Sequence, residues 1–174
     1  MTPSDRIARL LRDVPDFPRA GILFCDISPV LADADALREA VQALVAPWRD
    51  APPDLVAGIE SRGFILGAAA ALRLGCGFVP IRKPGKLPAR VLQEDYALEY
   101  GSDRLEMHVD ACGPGQRVLL VDDVLASGGT LGAARRLVAR AGAEVAGAAV
   151  LAEIASLGAR ARWNGPPLHA VLVR

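Results

Sequence analysis

The sequence predicts an α/β fold, with a central, mostly parallel sheet flanked by helices on both faces. Three observations lead there. Short, almost uninterrupted apolar runs recur along the chain, as strands buried on both faces require. Segments of helical periodicity separate those runs, which is the alternation of βαβ units. The composition is 52% hydrophobic but only 5% aromatic, so a core of Ala, Val, Leu and Ile must fill the space between the layers.

Leu55–Ile59, Gly77–Ile81, Val118–Val121, Val145–Leu151 and Ala170–Val173 read as the buried strands. Leu37, Val41, Leu44 and Val45 repeat at helical spacing behind the candidate N-caps Asp33 and Asp35. Phe64–Leu74 reads as a second helix closed by Gly75, and Leu131 to Ala141 as a third closed by Gly142. Two stretches fall outside the alternation. The segment 82–108 is polar, with strand-like alternation around Tyr96, Leu98 and Tyr100, and reads as a protruding loop or hairpin rather than core. The N-terminal segment, punctuated by Pro and Gly through FPRAGILFCDISPVL, reads as an irregular cover on the sheet.

The 174 residues suit one domain, and the formal net charge of zero argues against a general binder of nucleic acid or membrane surfaces. Cys25, Cys76 and Cys112 lie far apart without a C-x-x-C pair, so neither zinc nor a disulfide framework is expected. His108 and His169 are too distant to form a helical ligand pair. The first residues carry charges throughout, and no run approaches the ~20 apolar residues of a membrane span. A soluble, cytoplasmic protein is expected. Of 20 basic residues 18 are arginines, and the only lysines, Lys83 and Lys86, share the Gly/Pro-rich segment RKPGKLP.

The segment with most chemistry is VLLVDDVLASGGT, residues 118–130. A buried strand ends in two adjacent carboxylates, and a loop of small residues then opens into a helix. Ala126, Ser127, Gly128, Gly129 and Thr130 lack bulk, so backbone N–H groups can close around an anion at the helix's positive end. There is no G-K-[ST] and no G-x-G-x-x-G here, so neither a Walker loop nor a dinucleotide fingerprint fits. Paired acids beside a phosphate cradle suit the hydroxyls of a ribose 5-phosphate, or its divalent cation. Two consecutive acids at the end of an apolar strand are costly unless used.

This segment resembles the signature of type I phosphoribosyltransferases. FPRAGILFCDISPVL, GIESRGFILG, GFVPIRKPGKLP and DYALEYGSDRLEMH extend the resemblance to the adenine-specific branch over most of the chain. The resemblance implies a single phosphoribosyltransferase domain over 1–174, with a small hood from about 1–35 and a flexible loop or hairpin at about 82–108. It implies that adenine and 5-phosphoribosyl-1-pyrophosphate become AMP and pyrophosphate, in purine salvage. A magnesium ion carried mainly by the activated ribose and a homodimer are implied as well, without nucleic-acid or membrane partners.

The same resemblance assigns roles to residues. Ala126 to Thr130 hold the 5-phosphate, and Asp122 and Asp123 serve the ribose hydroxyls or their magnesium. Ser61, Arg62, Lys83 and Lys86 meet the pyrophosphate. Leu23, Phe24, Cys25 and Ile154 form the base pocket, with Phe24 and Ile154 on opposite faces of the purine. Glu99 exchanges a purine proton, Tyr100 stands beside it in the loop, and Arg62, Lys83 and Glu99 make up the catalytic set. Cys25 stands where many relatives carry arginine. A 6-oxopurine enzyme would carry a lysine near the base, and this chain has none after Lys86. A non-catalytic, nucleic-acid-binding sensor of the activated ribose would need a basic surface.

Overall fold

A computed structural model describes residues 3–97 and 101–174. The chain begins with helix α1 (Pro3–Leu10), strands β1 (Arg12–Pro15) and β2 (Leu23–Asp26), and helices α2 (Ser28–Ala32) and α3 (Ala34–Val45). Strand β3 (Leu55–Ile59), helix α4 (Arg62–Leu74) and strand β4 (Gly77–Ile81) follow, then strands β5 (Val91–Ala97) and β6 (Ser102–His108). The last part holds β7 (Arg117–Leu125), α5 (Gly129–Arg140), β8 (Glu144–Glu153), α6 (Ala159–Arg162) and β9 (Leu168–Val173).

The five apolar runs become one parallel sheet in the order β4-β3-β7-β8-β9. Strand alternation sorts its side chains into two cores. Ala57, Ile59, Val118 and Leu120 face Leu131, Ala134, Leu137 and Val138 of α5. Val56, Leu119 and Val121 face the other way, toward Ile7, Ile27, Ala36, Ala40 and Leu44, and toward Leu66 and Ala70 of α4. The helix ends follow local chemistry. Asp33 caps α3 by accepting from Ala36 N at 2.8 Å, and Gly75 closes α4 in the left-handed conformation.

Three readings change. The N-terminal segment is not an irregular cover: it holds α1, α2 and an antiparallel β1–β2 pair in which Arg12 faces Asp26 and Pro15 faces Leu23. The segment is anchored by Ile7 of α1, Val30 of α2 and Ile27 just ahead of α2, all fully buried; in α1 the charges on either side of Ile7 mask its inward face in the sequence. The segment 82–108 does contain an antiparallel hairpin, β5–β6, but it is not merely protruding, because Tyr96, Leu105 and Met107 join the α5-side core. Strand β7 continues past Val121 to Leu125, so both carboxylates lie within the strand.

The topology decides where a ligand sits. From β3 the chain steps to β4 on one side, and later returns through β7 on the other. Strand order therefore reverses between β3 and β7, and open α/β sheets bind ligands at the carboxyl ends flanking such a point. Glu60 to Gly63 leave the end of β3, and Asp122 to Thr130 occupy the end of β7.

Candidate active site

Asp122 and Asp123 are neighbours within β7, and their carboxylates interact where the strand passes the start of α4. Asp122 lines a cavity of about 60 Å³ together with Leu125, Ala126, Ser127, Gly128 and Thr130. Its Oδ1 accepts from Asp123 N at 2.9 Å. Burial, and then the adjacent Asp123 carboxylate, push the Asp122 pKa well above its ordinary value. Asp123 is buried and its Oδ2 lies 2.8 Å from Arg62 Nε. That contact is an ion pair without an aligned donor, so Oδ2 retains unused acceptor capacity.

The loop after β7 has the backbone a phosphate cradle needs. Gly128, at the N-cap of α5, is left-handed with φ +87°, and no side chain caps the helix. The first-turn N–H groups therefore have no side-chain cap, the arrangement in which a helix N-terminus can accept an anion. On the neighbouring strand end, α4 begins at Arg62, two residues earlier than its periodicity indicated, and Ser61 at its N-cap also supplies no side-chain cap. A Cβ at Gly63 would lie 2.9 Å from Val121 O and 3.0 Å from Asp122 Oδ1. Only glycine lets α4 start this close to β7, and that closeness delivers Arg62 to Asp123.

Arg62 also reaches the β1–β2 cover. Its guanidinium carbon sits 4.5 Å from the centroid of the Phe24 ring, and Nη1 donates to Cys25 O at 3.4 Å. One arginine therefore bridges the acid of β7, an aromatic shelf and a main-chain acceptor. Phe17 packs edge-on against Phe24 at 5.0 Å, and Leu23 beside it is 56% exposed. The Cys25 side chain turns inward and is buried, so only its backbone faces the site. Its thiol contacts Arg174 Nη1 at 3.8 Å, while Arg174 grips both oxygens of Asp13 at 2.7 and 2.8 Å. Ile154 follows β8 and packs in the same core as Cys25.

A model of the phosphoribosyl transferase domain matches residues 30–165. The chain is 56% identical, over 93% of its length and 88% of the relative's, to the adenine phosphoribosyltransferase of Xanthomonas campestris pv. campestris (strain B100). The chain belongs to the adenine phosphoribosyltransferase family. The solved adenine phosphoribosyltransferase of Rhodothermus marinus DSM 4252 is 51% identical, with a TM-score of 0.95 over 99% of this chain and 98% of that one. The enzyme of Giardia lamblia complexed with 9-deazaadenine is 39% identical, with a TM-score of 0.94 over 100% of this chain and 99% of that one.

Within this adenine phosphoribosyltransferase fold the two lysines part company. Lys86 pairs with Glu60, and so does Arg82 at 3.3 Å. Burial works to raise the Glu60 pKa, but the Lys86 ammonium, the Lys83 N–H and Arg82 outweigh it and hold the carboxyl below its ordinary value. The Lys83 ammonium points instead to the β5–β6 hairpin, where it pairs with Asp103 and donates to Tyr96 Oη at 2.9 Å. Asp103 and Arg174 carry no spacing signal in the sequence, and Tyr96 shows there only in the alternation of the hairpin segment, with no hint of its contact with Lys83. Glu60 stands out in the sequence only as part of the segment GIESRGFILG. Glu99 and Tyr100, expected in the loop, lie outside the described residues. Among the described residues no cluster of three or more His, Cys, Asp or Glu forms a metal cage, and no helix is long and apolar enough to cross a membrane.

Proposed function

We propose that this chain transfers the 5-phosphoribosyl group of 5-phosphoribosyl-1-pyrophosphate to a ring nitrogen of adenine, giving AMP and pyrophosphate. The observation that carries this reading is the bridge made by Arg62, which links Asp123 to Phe24 and the Cys25 carbonyl. A ribose at the end of β7 and a purine on Phe24 would then lie within one side chain's reach of each other. The adenine phosphoribosyltransferases that this chain resembles support the choice of base.

The 5-phosphate takes the cradle from Ala126 to Thr130, and Asp122 and Asp123 accept from the ribose hydroxyls. Adenine stacks on Phe24, opposite Ile154. Its amino group donates to a main-chain carbonyl of the Leu23–Cys25 segment, and a main-chain N–H there meets the adjacent ring nitrogen. The guanidinium of Arg62 occupies that shelf and moves toward the pyrophosphate as the base enters. There it joins Ser61, Lys83 and Lys86 in stabilising the charge that grows on the leaving group. The C1–oxygen bond to pyrophosphate breaks as the C1–nitrogen bond forms, and the displaced purine proton passes to Glu99.

Asp123, whose Oδ2 has unused acceptor capacity, and the adjacent Asp122 fit a magnesium ion brought in by the substrate, since such ions take one or two carboxylates plus phosphate oxygens. When bound, that ion would neutralise charge on the pyrophosphate. A homodimer fits the exposed apolar side chains Ile65 and Leu72, 48% and 85% exposed on α4. A cytoplasmic location and a hood built mainly from about 1–35 belong to the same reading. The test is direct: with magnesium and the activated ribose, equal adenine and hypoxanthine compete for the protein. AMP should dominate by on the order of a hundredfold, because the 6-oxopurine edge reverses both donor and acceptor. Comparable yields would overturn the choice of adenine, and no nucleotide at all would overturn the transfer.

A further inference from the structure

Tyr96 and Asp103 are direct partners across β5 and β6, so their side chains stand next to each other on one face of the hairpin. Tyr96 Oη lies 3.0 Å from Asp103 Oδ2, where it can donate, and the phenol is only 6% exposed. The Lys83 ammonium closes the triangle by contacting both groups. The same phenol oxygen stands 3.4 Å from Thr130 Oγ1. One phenol–carboxylate pair thus touches Thr130 of the phosphate cradle and Lys83 of the leaving-group segment, and the activated ribose competes for both.

Burial opposes both charges of the ion pair, yet their mutual hydrogen bonds prevail. Asp103 sits below its ordinary pKa and Lys83 above its own. Both side chains remain about a third exposed, at 31% and 32%, so the pair is solvent-screened and exchangeable. A single screened carboxylate is a weaker partner for an ammonium than a pyrophosphate bearing several charges. Lys83 can therefore leave Asp103 when the substrate arrives, and return when pyrophosphate departs.

We propose that Asp103, with Tyr96, is a positioning residue for Lys83: it holds the ammonium on the hairpin in a position from which the pyrophosphate takes it, and to which it returns on product release. This rests on the reading of Lys83 as a pyrophosphate contact. Nothing in the pairing requires Asp103 to touch substrate. Its effect is to make pyrophosphate-bearing ligands compete for the lysine, which weakens their binding and speeds their release.

The experiment measures pyrophosphate affinity by calorimetry, and KM for the activated ribose, in two backgrounds. In the native background Asp103→Asn should tighten pyrophosphate binding and lower KM about two- to fivefold, the range expected for a screened pair. Asp103→Glu should restore the native values. In a Lys83→Ala background Asp103→Asn should change neither quantity. If Asp103→Asn misfolds, Tyr96→Phe removes only the hydroxyl and should act in the same direction with a smaller change. Weaker or unchanged binding in the native background overturns the proposal, as does an equal change in both backgrounds. A Lys83→Ala protein with native pyrophosphate affinity would instead remove the leaving-group reading beneath it.

Discussion

Gly63 offers a demanding check on the geometry, because its replacement has a calculable consequence at the junction of α4 and β7. In Gly63→Ala the new methyl would stand 2.9 Å from Val121 O, 3.0 Å from Asp122 Oδ1 and 3.3 Å from Asp122 Cα. Ordinary carbon–oxygen contacts begin near 3.3 Å, so relief requires a shift of roughly 0.4 Å. Val121 cannot give way, since β7 is paired to both β3 and β8. The first turn of α4 must therefore move outward, taking Arg62 with it. Overpacking of this kind costs about 1–3 kcal/mol, or roughly 3–10 °C in Tm for a chain of this size. A 1 Å misplacement near the chemistry costs about a hundredfold, so this shift should lower kcat/KM roughly sixfold. Urea melts and steady-state kinetics give the two numbers. Gly132→Ala is the control: its methyl would meet nothing nearer than Arg136 Nη1 at 3.5 Å, and helix propensity should add up to about 1 kcal/mol. A Gly63→Ala protein that melts and turns over like the native one would refute the close approach. Equal destabilisation by Gly132→Ala would show that the loss reflects general fragility instead.

Asp122→Asn should weaken binding of the activated ribose about tenfold or more by calorimetry, because a charged acceptor is lost. The same change should raise stability at neutral pH. An acid whose folded pKa is raised contributes stability that is complete below its unfolded value, near 3.8, and is lost as pH rises through the folded pKa; thermal melts of the variant should show a flatter pH dependence over that range. Phe24→Ala should raise KM for adenine, with a loss of about 1–3 kcal/mol or roughly 5- to 150-fold, and leave KM for the activated ribose near its native value; equal changes in both would speak against the shelf. Gly128→Val places a β-branched residue at φ +87°, so it should lose turnover by a hundredfold or more; normal kinetics from a folded variant would exclude the loop as the phosphate cradle.

What the sequence determined by itself is local. The unbroken apolar runs Leu55–Ile59 and Val118–Val121, and the helical repeat through Leu131, Leu137 and Val138, fix element type because each residue's environment follows from its near neighbours in sequence. The loop proposed as a phosphate cradle stands out in the sequence for the same reason: acids, small residues and a helix start lie in one unbroken stretch. The N-terminal pairing of Arg12 with Asp26 was not legible, because its partner strands are joined by a turn whose Pro and Gly hide the alternation. The strand's extension through Asp122 and Asp123 was hidden as well, since only pairing with Val150 and neighbouring residues of β8 makes charged residues continue a buried strand. Arg62 meeting Asp123 and Phe24, Lys83 meeting Asp103 while Lys86 meets Glu60, and Arg174 reaching Asp13 were decided by tertiary structure alone. Charge has no sequence period, and an ion pair forms wherever the topology brings opposite charges within about 4 Å; for Arg62 and Asp123 it is the pairing of β3 beside β7, where strand order reverses, that brings them together.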